Sequence, residues 1–409
     1  MHAVYFLQYY LKIFLCLLGS FSAPLHYNIK LQFLTPIIGW LYLFKNKIVP
    51  PFLMIVFLAV TYLSSTQENI FWNTFVVLKV LGFYGSACYI QQWTDQQFSQ
   101  GLLLIFWLSF TVFVLEFFVI GPISFKGIAS IEFPRIDGPA GHGLHSAVIL
   151  GVFSLTSYFI GLRGLSVCFA GLSITGLSYT AMICLGIAFS LALLRCKKIT
   201  RICMYTVCFI FLTQPFTTLL YGYIPSSYQY MLSELTNLRI LYQYIYAKES
   251  VHFVFGAGTN NDLAILDGAQ DKEYVKKLYA EYSKEIEHHF HKEYLYSFNT
   301  KKHDVNFNKL FFTDLKTPHS APIQILVAYG IVGYGIFCAL NIGIVCSLNG
   351  NHVGQVFITY SLLYHLMNDF HFFIFFYALG AALAFGKFNS VSHIDICGQP
   401  NEKRGRCCD

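Results

Sequence analysis

Charged side chains are scarce in this chain. Only 12% of its 409 residues are Asp, Glu, Lys or Arg, 56% are hydrophobic, and the mean hydropathy is +0.54. So few charges cannot cover the surface of a soluble protein of this size, which excludes the ordinary soluble enzymes and binding modules. We therefore expect an integral membrane protein, with membrane lipids around it and no nucleic-acid partner.

Short segments of alternating polarity, the mark of a membrane β-barrel, are also missing. The apolar stretches are instead close to the length of about 20 residues that an α-helix needs to cross a bilayer. We predict an all-α polytopic membrane protein with about twelve transmembrane helices. The apolar stretches lie near residues 4–24, 31–44, 48–65, 70–93, 101–120, 144–161, 164–177, 179–194, 202–221, 321–347, 353–367 and 370–386.

Lysine and arginine in the short loops indicate the orientation, because such residues accumulate on the cytoplasmic side. The clusters at 45–47, 195–201 and the C-terminal tail fall on one side under this count. We predict four regions along the chain. They are helices 1–9 within residues 1–221 with a short periplasmic loop at 121–143, a partly helical periplasmic loop domain at 222–318, helices 10–12 within 319–386, and a cytoplasmic tail at 387–409.

None of the twelve cysteines lies in either outside loop, so no disulfide framework is implied. The long loop holds 23 of the 48 charged residues, twelve acidic and eleven basic, and is nearly neutral. Within it, apolar residues from Val275 to Tyr294 recur every three or four positions, which is typical of an amphipathic helix. We expect this helix to lie over the bundle or in the membrane interface.

Three basic or ionisable residues of the outside loops are the candidates for chemistry. Arg135 and Arg239 each have a plain interpretation as solvated or headgroup-binding arginines. Together with His319 they could converge on an anionic group such as a diphosphate, which arginine holds through paired charge-assisted hydrogen bonds. His319 could act as a general base. Alternatively, the His319-Ser320 pair caps a helix, with the Ser320 hydroxyl bonding first-turn amides.

Other polar positions allow two interpretations each. Lys79 lies within an apolar stretch, where polarity often marks function. His365, Asp369 and His371 could bind a metal ion, although a hydrogen-bonded turn at the outer surface is the simpler interpretation. Gly256-Ala257-Gly258 is a structural turn or a backbone surface that faces a ligand.

The segment at the end of the long loop carries a resemblance. His319-Ser320, nine residues, Gly330, two residues and Gly333 reproduce the spacing of a motif in bacterial O-antigen ligases, and O-antigen polymerases carry a similar segment. The order of features resembles that superfamily too, with an arginine in an earlier loop, an arginine at the opening of the long loop, a Gly-x-Gly turn and then the histidine. The resemblance covers roughly residues 130–345.

This resemblance implies a glycosyltransferase of GT-C-like architecture in the bacterial inner membrane, active on the periplasmic side. The donor would be an undecaprenyl-diphosphate-linked oligosaccharide, and the acceptor another glycan or lipid A-core. It implies an inverting reaction without a metal or other cofactor. Arg135 and Arg239 would bind the diphosphate, and His319 would activate the acceptor hydroxyl. Ser320, Gly330 and Gly333 would be motif residues with a structural role.

The sequence departs from the family at one place. Ligases and many relatives have Thr-Arg or Ser-Arg at the start of a span, where this chain has Ser178-Tyr179-Thr180. The missing arginine favours a polymerase, which joins repeat units, over a ligase, which attaches the glycan to lipid A-core. A flippase or transporter of the same glycans and a non-catalytic assembly protein are further alternatives.

Overall fold

The computed structural model shows a bundle of apolar α-helices. It describes residues 2–21, 24–26, 29–63, 70–120, 123–126, 132–135, 138, 143–176, 178–225, 228, 239–252, 254–256 and 320–396. His319 and the predicted amphipathic helix at 275–294 lie outside the described residues.

The α-helices follow one another along the chain, and short turns join several of them, such as α6 to α7 and α8 to α9. They are α1 (His2–Leu18), α2 (Leu34–Asn46), α3 (Phe52–Leu63), α4 (Ile70–Ile90), α5 (Asp95–Leu115), α6 (Gly143–Phe159), α7 (Arg163–Thr175), α8 (Tyr179–Leu194), α9 (Lys197–Leu219), α10 (Arg239–Ser250), α11 (Ala321–Ser347), α12 (His352–Met367) and α13 (Phe372–Ile396). Two short antiparallel strand pairs accompany them, β1 (Pro24–His26) with β2 (Ile29–Lys30), and β3 (Ile123–Lys126) with β4 (Glu132–Arg135).

A helix occupies each of the predicted apolar stretches, so the helical character of the fold is confirmed. Three of these helices are long and apolar enough to cross a membrane, namely Asp95–Phe118, Lys197–Tyr223 and Ala321–Ser347. Others are apolar but shorter, among them Leu144–Phe159 and Tyr179–Leu194. The number of twelve crossings stays a prediction. Helix α13 continues to Ile396, into the segment that we predict as a tail.

Helices α6 and α12 occupy the centre of the bundle. Residues 146–157 and 354–362 are buried without interruption, and the Tyr360 hydroxyl donates to the Val148 carbonyl at 2.7 Å. The outer surface carries exposed large apolar side chains, including Leu41, Leu104, Trp107, Phe118, Val167, Ile183, Leu193, Phe209 and Ile342. An apolar outer surface of this extent is compatible with a membrane protein.

Helix α11 is broken in its N-terminal half. Gly330 has φ 66° and ψ −170°, a backbone conformation that is essentially restricted to glycine. The segment that follows α10 lies against this break, since the Val332 amide donates to the Val254 carbonyl at 3.2 Å. Gly256, with φ 75°, sits so close that a Cβ there would lie 2.5 Å from the Gly330 nitrogen. The Gly-x-Gly motif therefore begins with a structural turn at Gly256, while Gly258 lies outside the described residues.

Glycine is required at this contact, which gives a first prediction. We expect Gly330→Ala and Gly256→Ala each to lower the free energy of unfolding by about 1–3 kcal/mol, because alanine strains both backbone conformations. The thermal midpoint of the detergent-solubilised protein measures the change. Gly335→Ala is the control, since nothing lies within 4 Å of its Cβ position and alanine favours a helix. Equal midpoints for all three variants would contradict the strain.

Candidate functional site

The predicted site residues belong to three elements at one end of the bundle. Arg135 ends β4, and Arg239 begins α10. Ser320 immediately precedes α11, which contains Gly330 and Gly333. For Arg135 and Arg239 the structure describes the backbone only.

Gln214 of α9 connects α10, the residue that precedes α11 and the end of α12. Its amide nitrogen donates to the Leu366 carbonyl at the end of α12 at 3.2 Å and to Gln243 Oε1 of α10 at 3.5 Å. Its Oε1 accepts a hydrogen bond of 2.6 Å from the Ser320 hydroxyl. One side chain thus holds α10 and the first turn of α11 against the ends of α9 and α12.

Pro215 follows Gln214 inside α9 and has no amide to donate within the helix. The helix is supported here from outside, because the Tyr334 hydroxyl of α11 donates to the Leu212 carbonyl at 2.7 Å. Helices α9 and α11 are therefore joined by hydrogen bonds both at Gln214 and two residues before it. This double connection fixes the position of Ser320 at the start of α11.

The capping interpretation of Ser320 is wrong. Its hydroxyl makes no cap bond to the first turn of α11 and is directed to Gln214 instead. Two physical reasons account for this. Pro322 removes one of the first-turn amides that a cap would serve, and the buried Gln214 oxygen needs a donor. Ser320 therefore acts in tertiary packing, and the role of His319 stays a prediction.

Gly330 and Gly333 have structural roles. Gly330 supplies the break in α11, and Gly333 lies where a Cβ would overlap the Tyr329 side chain and approach Val60 of α3 at 3.2 Å. Tyr329 in turn packs edge-on against Phe57, with ring centroids 4.9 Å apart. The two glycines thus allow α3 and the broken helix to pack closely.

The turn between α12 and α13 is held by His365. Its Nδ1 lies 2.7 Å from the Ser361 carbonyl and its Nε2 accepts from the His371 amide at 3.0 Å. A carbonyl can only accept and an amide can only donate, so His365 carries its proton on Nδ1. The predicted hydrogen-bonded turn is confirmed, and two of its residues are buried, since His365 is 0% exposed and Asn368 only 4%.

A metal ion would find few ligands here. Both ring nitrogens of His365 are already engaged by the backbone. Among the residues that the structure describes, no group of three or more His, Cys, Asp or Glu side chains is placed to hold a metal ion. The metal interpretation of His365, Asp369 and His371 therefore gains no support from this geometry.

His371 is the polar residue whose importance the sequence did not reveal. Its buried Nδ1 makes no hydrogen bond to any described residue, and its ring lies 5.1 Å from that of His145 at the start of α6. Nδ1 is therefore a group that can form a hydrogen bond with a ligand.

Lys79 brings a positive charge to the same place. Its ammonium group lies 4.8 Å from the centre of the Phe372 ring, next to His371. Contact between a cation and an aromatic face stabilises a charge that is removed from water. The sequence singled out Lys79 as an unusual residue in an apolar stretch, and the structure places it beside the two histidines.

The strand pair that ends at Arg135 is tied to the same end of the bundle. Gly138 is buried with φ 68°, and its amide donates to Glu116 Oε2 at 2.8 Å. Glu116 begins a π-helical turn that follows α5. A Cβ at Gly138 would lie 3.1 Å from the Ser146 Cβ of α6, one residue from His145. The chain three residues after Arg135 is thus fixed near the histidine pair.

The polar groups form one band across this end of the bundle. Gln324 links its two halves, because its Oε1 accepts from the Phe370 amide at 2.8 Å. Below the band lies an apolar cavity of about 150 Å³. Its walls include Met54, Phe57, Tyr84, Tyr329, Phe337 and Phe372. Tyr329 adjoins the break in α11 and Phe372 adjoins His371, so polar and apolar surfaces meet here.

Tyr179, which stands where many O-antigen ligases have an arginine, begins α8. The Ser178 hydroxyl caps this helix by accepting from the Ala181 amide at 3.2 Å, and Tyr179 is 52% exposed.

The chain matches no protein-family model, no curated protein and no solved structure.

The hydrogen bonds of Gln214 give a second prediction. We expect Gln214→Leu to lower the free energy of unfolding by about 1–3 kcal/mol, because the buried Ser320 hydroxyl and Leu366 carbonyl lose their partner. Thr213→Val is the matched control, since the exposed Thr213 hydroxyl bonds only within α9. Thermal midpoints in detergent compare the two. A midpoint for Gln214→Leu equal to that of Thr213→Val would show that the network contributes nothing.

Proposed function

We propose that the protein is an inner-membrane glycosyltransferase of the O-antigen polymerase or ligase type. It would transfer an undecaprenyl-diphosphate-linked glycan to a sugar hydroxyl on the periplasmic side of the membrane, in the synthesis of a cell-surface polysaccharide such as the lipopolysaccharide O-antigen. The resemblance of residues 130–345 to that superfamily motivates the proposal.

One observation carries it. The three residues with predicted roles each lie within four positions of a residue at the same end of the bundle. Arg135 precedes the anchored Gly138 by three residues, Arg239 precedes Gln243 by four, and His319 adjoins Ser320. Segments far apart in the sequence are thus held together where a shared substrate would bind. A non-catalytic assembly protein would give no reason for this arrangement.

The surroundings suit an amphiphilic donor. The diphosphate would bind Arg135 and Arg239, whose guanidinium groups can stabilise the charge that develops on the leaving group. The polyprenyl chain would extend over the apolar surface beside the cavity below the band. His145 and His371 would offer hydrogen bonds to sugar hydroxyls next to these charges.

The proposed reaction uses these groups. The acceptor hydroxyl oxygen attacks the anomeric carbon of the donor sugar, and its proton passes to His319. The bond between that carbon and the diphosphate oxygen breaks, and undecaprenyl diphosphate leaves with the bonding electrons. Attack from the face opposite the leaving group inverts the anomeric centre. We favour the polymerase because Tyr179 stands where many ligases have arginine; the ligase is the alternative.

The break in α11 favours a second candidate, a transporter of lipid-linked glycans. Interrupted helices near the middle of the membrane are common in transporters, usually in pairs from repeated halves. Here the break is covered by Val254 and Gly256, and no second glycine of this conformation interrupts a described helix. The glycosyltransferase therefore accounts for more of the structure.

Complementation of a deletion strain distinguishes these functions. Loss of a polymerase leaves a single repeat on the lipopolysaccharide core, loss of a ligase leaves bare core with lipid-linked polymer, and loss of a flippase traps lipid-linked units in the cytoplasm. We expect His319→Ala to lose about 10²–10⁴-fold of the activity, as is usual for a general base, and to fail to restore the ladder. Arg239→Ala should lose about 10²–10³-fold, as is usual for a group that stabilises developing negative charge, and should also fail to restore it.

His252→Ala is the matched control, because His252 is an exposed histidine of the same loop. It should restore the ladder fully at equal membrane abundance. Arg239→Lys should restore it in part, since lysine keeps the charge but not the paired hydrogen bonds. A full ladder from His319→Ala would contradict the proposed chemistry.

A further inference from the structure

A second, larger cavity than the apolar one lies at the opposite end of the bundle from the polar band. It has a volume of about 840 Å³ and lies among the turns that connect α6 to α7, α8 to α9 and α11 to α12. Its lining includes Arg163, Arg195, Lys197 and His352. The described lining residues contain no carboxylate. A cavity of this size is in the range that binds small molecules, about 300–1,000 Å³.

Three of these basic residues lie at the N-terminus of a helix, where a positive charge lowers the stability of the helix. Arg163 is the first residue of α7, Lys197 of α9 and His352 of α12, and the first turns of the three helices hold no acidic residue. A helix N-terminus carries a partial positive charge, so a cation there is unfavourable, whereas a carboxylate would stabilise the helix. A bound anion would compensate both the side chains and the helix ends.

Hydrogen-bond donors are available in the same place. The residues that precede α7 and α9, Leu162 and Cys196, provide no side-chain cap. The Arg163 amide donates to the Gly161 carbonyl at 3.0 Å, and other first-turn amides can donate to water or a ligand. The third helix is held rigidly. Asn351 caps α12 by accepting from the Gly354 amide at 2.9 Å and donates to the Ala382 carbonyl of α13 at 2.9 Å.

The positive charges act on one another across the cavity. Burial, and next the charges of Lys197 and Arg195, lower the pKa of His352 from its ordinary value. Lysine and arginine accumulate in the cytoplasmic loops of membrane proteins, which explains why basic residues occur in such turns. It does not explain why residues from three separate turns line one cavity together with the aromatic side chains of Tyr158 and Phe159.

We propose that this cavity is a binding site for a phosphate-bearing anion. Arg163, Arg195 and Lys197 would hold the phosphate together with the first-turn amides of α7 and α9. The aromatic wall formed by Tyr158 and Phe159 would suit the apolar part of a lipid. Basic pockets between membrane helices commonly take anionic headgroups, and free phosphate offers the same chemistry. The site is independent of the proposed glycosyl transfer.

Binding can be measured as a ligand-induced rise in the thermal midpoint of the purified full-length protein in a non-ionic detergent. The probes are dioctanoyl phosphatidylglycerol, inorganic phosphate and, as a zwitterionic control, dioctanoyl phosphatidylcholine. We expect phosphatidylglycerol to raise the midpoint and phosphatidylcholine to have no effect. A rise with the lipid alone assigns the phosphate to a headgroup, and an equal rise with inorganic phosphate assigns it to a free anion.

The variants test the location. The triple variant Arg163→Gln, Arg195→Gln, Lys197→Gln should lose the rise. The matched control Lys45→Gln, Lys47→Gln, Lys198→Gln removes as many charges from exposed lysines outside the cavity lining and should keep it. If the triple variant does not fold, Arg163→Gln and Lys197→Gln alone should each weaken binding at least about 3-fold. No rise in the wild type, or equal rises in the two triple variants, would overturn the site.

Discussion

The amide of Gln214 is the interaction on which the candidate site depends. An apolar bundle offers no water to a buried polar group, so each such group must find its partner in another segment of the chain. Gln214 satisfies three groups at once, and in doing so it fixes the approach of α10 and the start of α11. Arg239 begins α10 and Ser320 precedes α11, so both attachments lie beside residues of the candidate site.

The sequence predicted the apolar helices well, because the length of an apolar run is a local property. Helices α6 to α9 begin and end within a few residues of the predicted stretches. The resemblance to the ligase motif also singled out Gly330 and Gly333. The spacing did not reveal that Gly330 breaks its helix, since glycine inside an apolar segment is equally compatible with close packing.

The parts that were missed depend on partners distant in sequence. Ser320 was assigned a cap because its neighbours suggested one, whereas its actual partner Gln214 lies 106 residues earlier. The sequence around His371 predicted only a turn, because nothing in it indicates that the His371 ring lies beside the ring of His145. A signal was present in Lys79, His145 and His371, three ionisable residues in or beside apolar stretches, but only the tertiary structure brings them together.

The central claim is that glycosyl transfer takes place at the polar end of the bundle. Its most direct test is the purified protein in proteoliposomes with a synthetic undecaprenyl-diphosphate-linked oligosaccharide. We expect glycans longer than the supplied oligosaccharide and the release of one undecaprenyl diphosphate for each bond formed. His319→Ala should lose both products. Movement of the intact donor across the bilayer without new glycosidic bonds would contradict it.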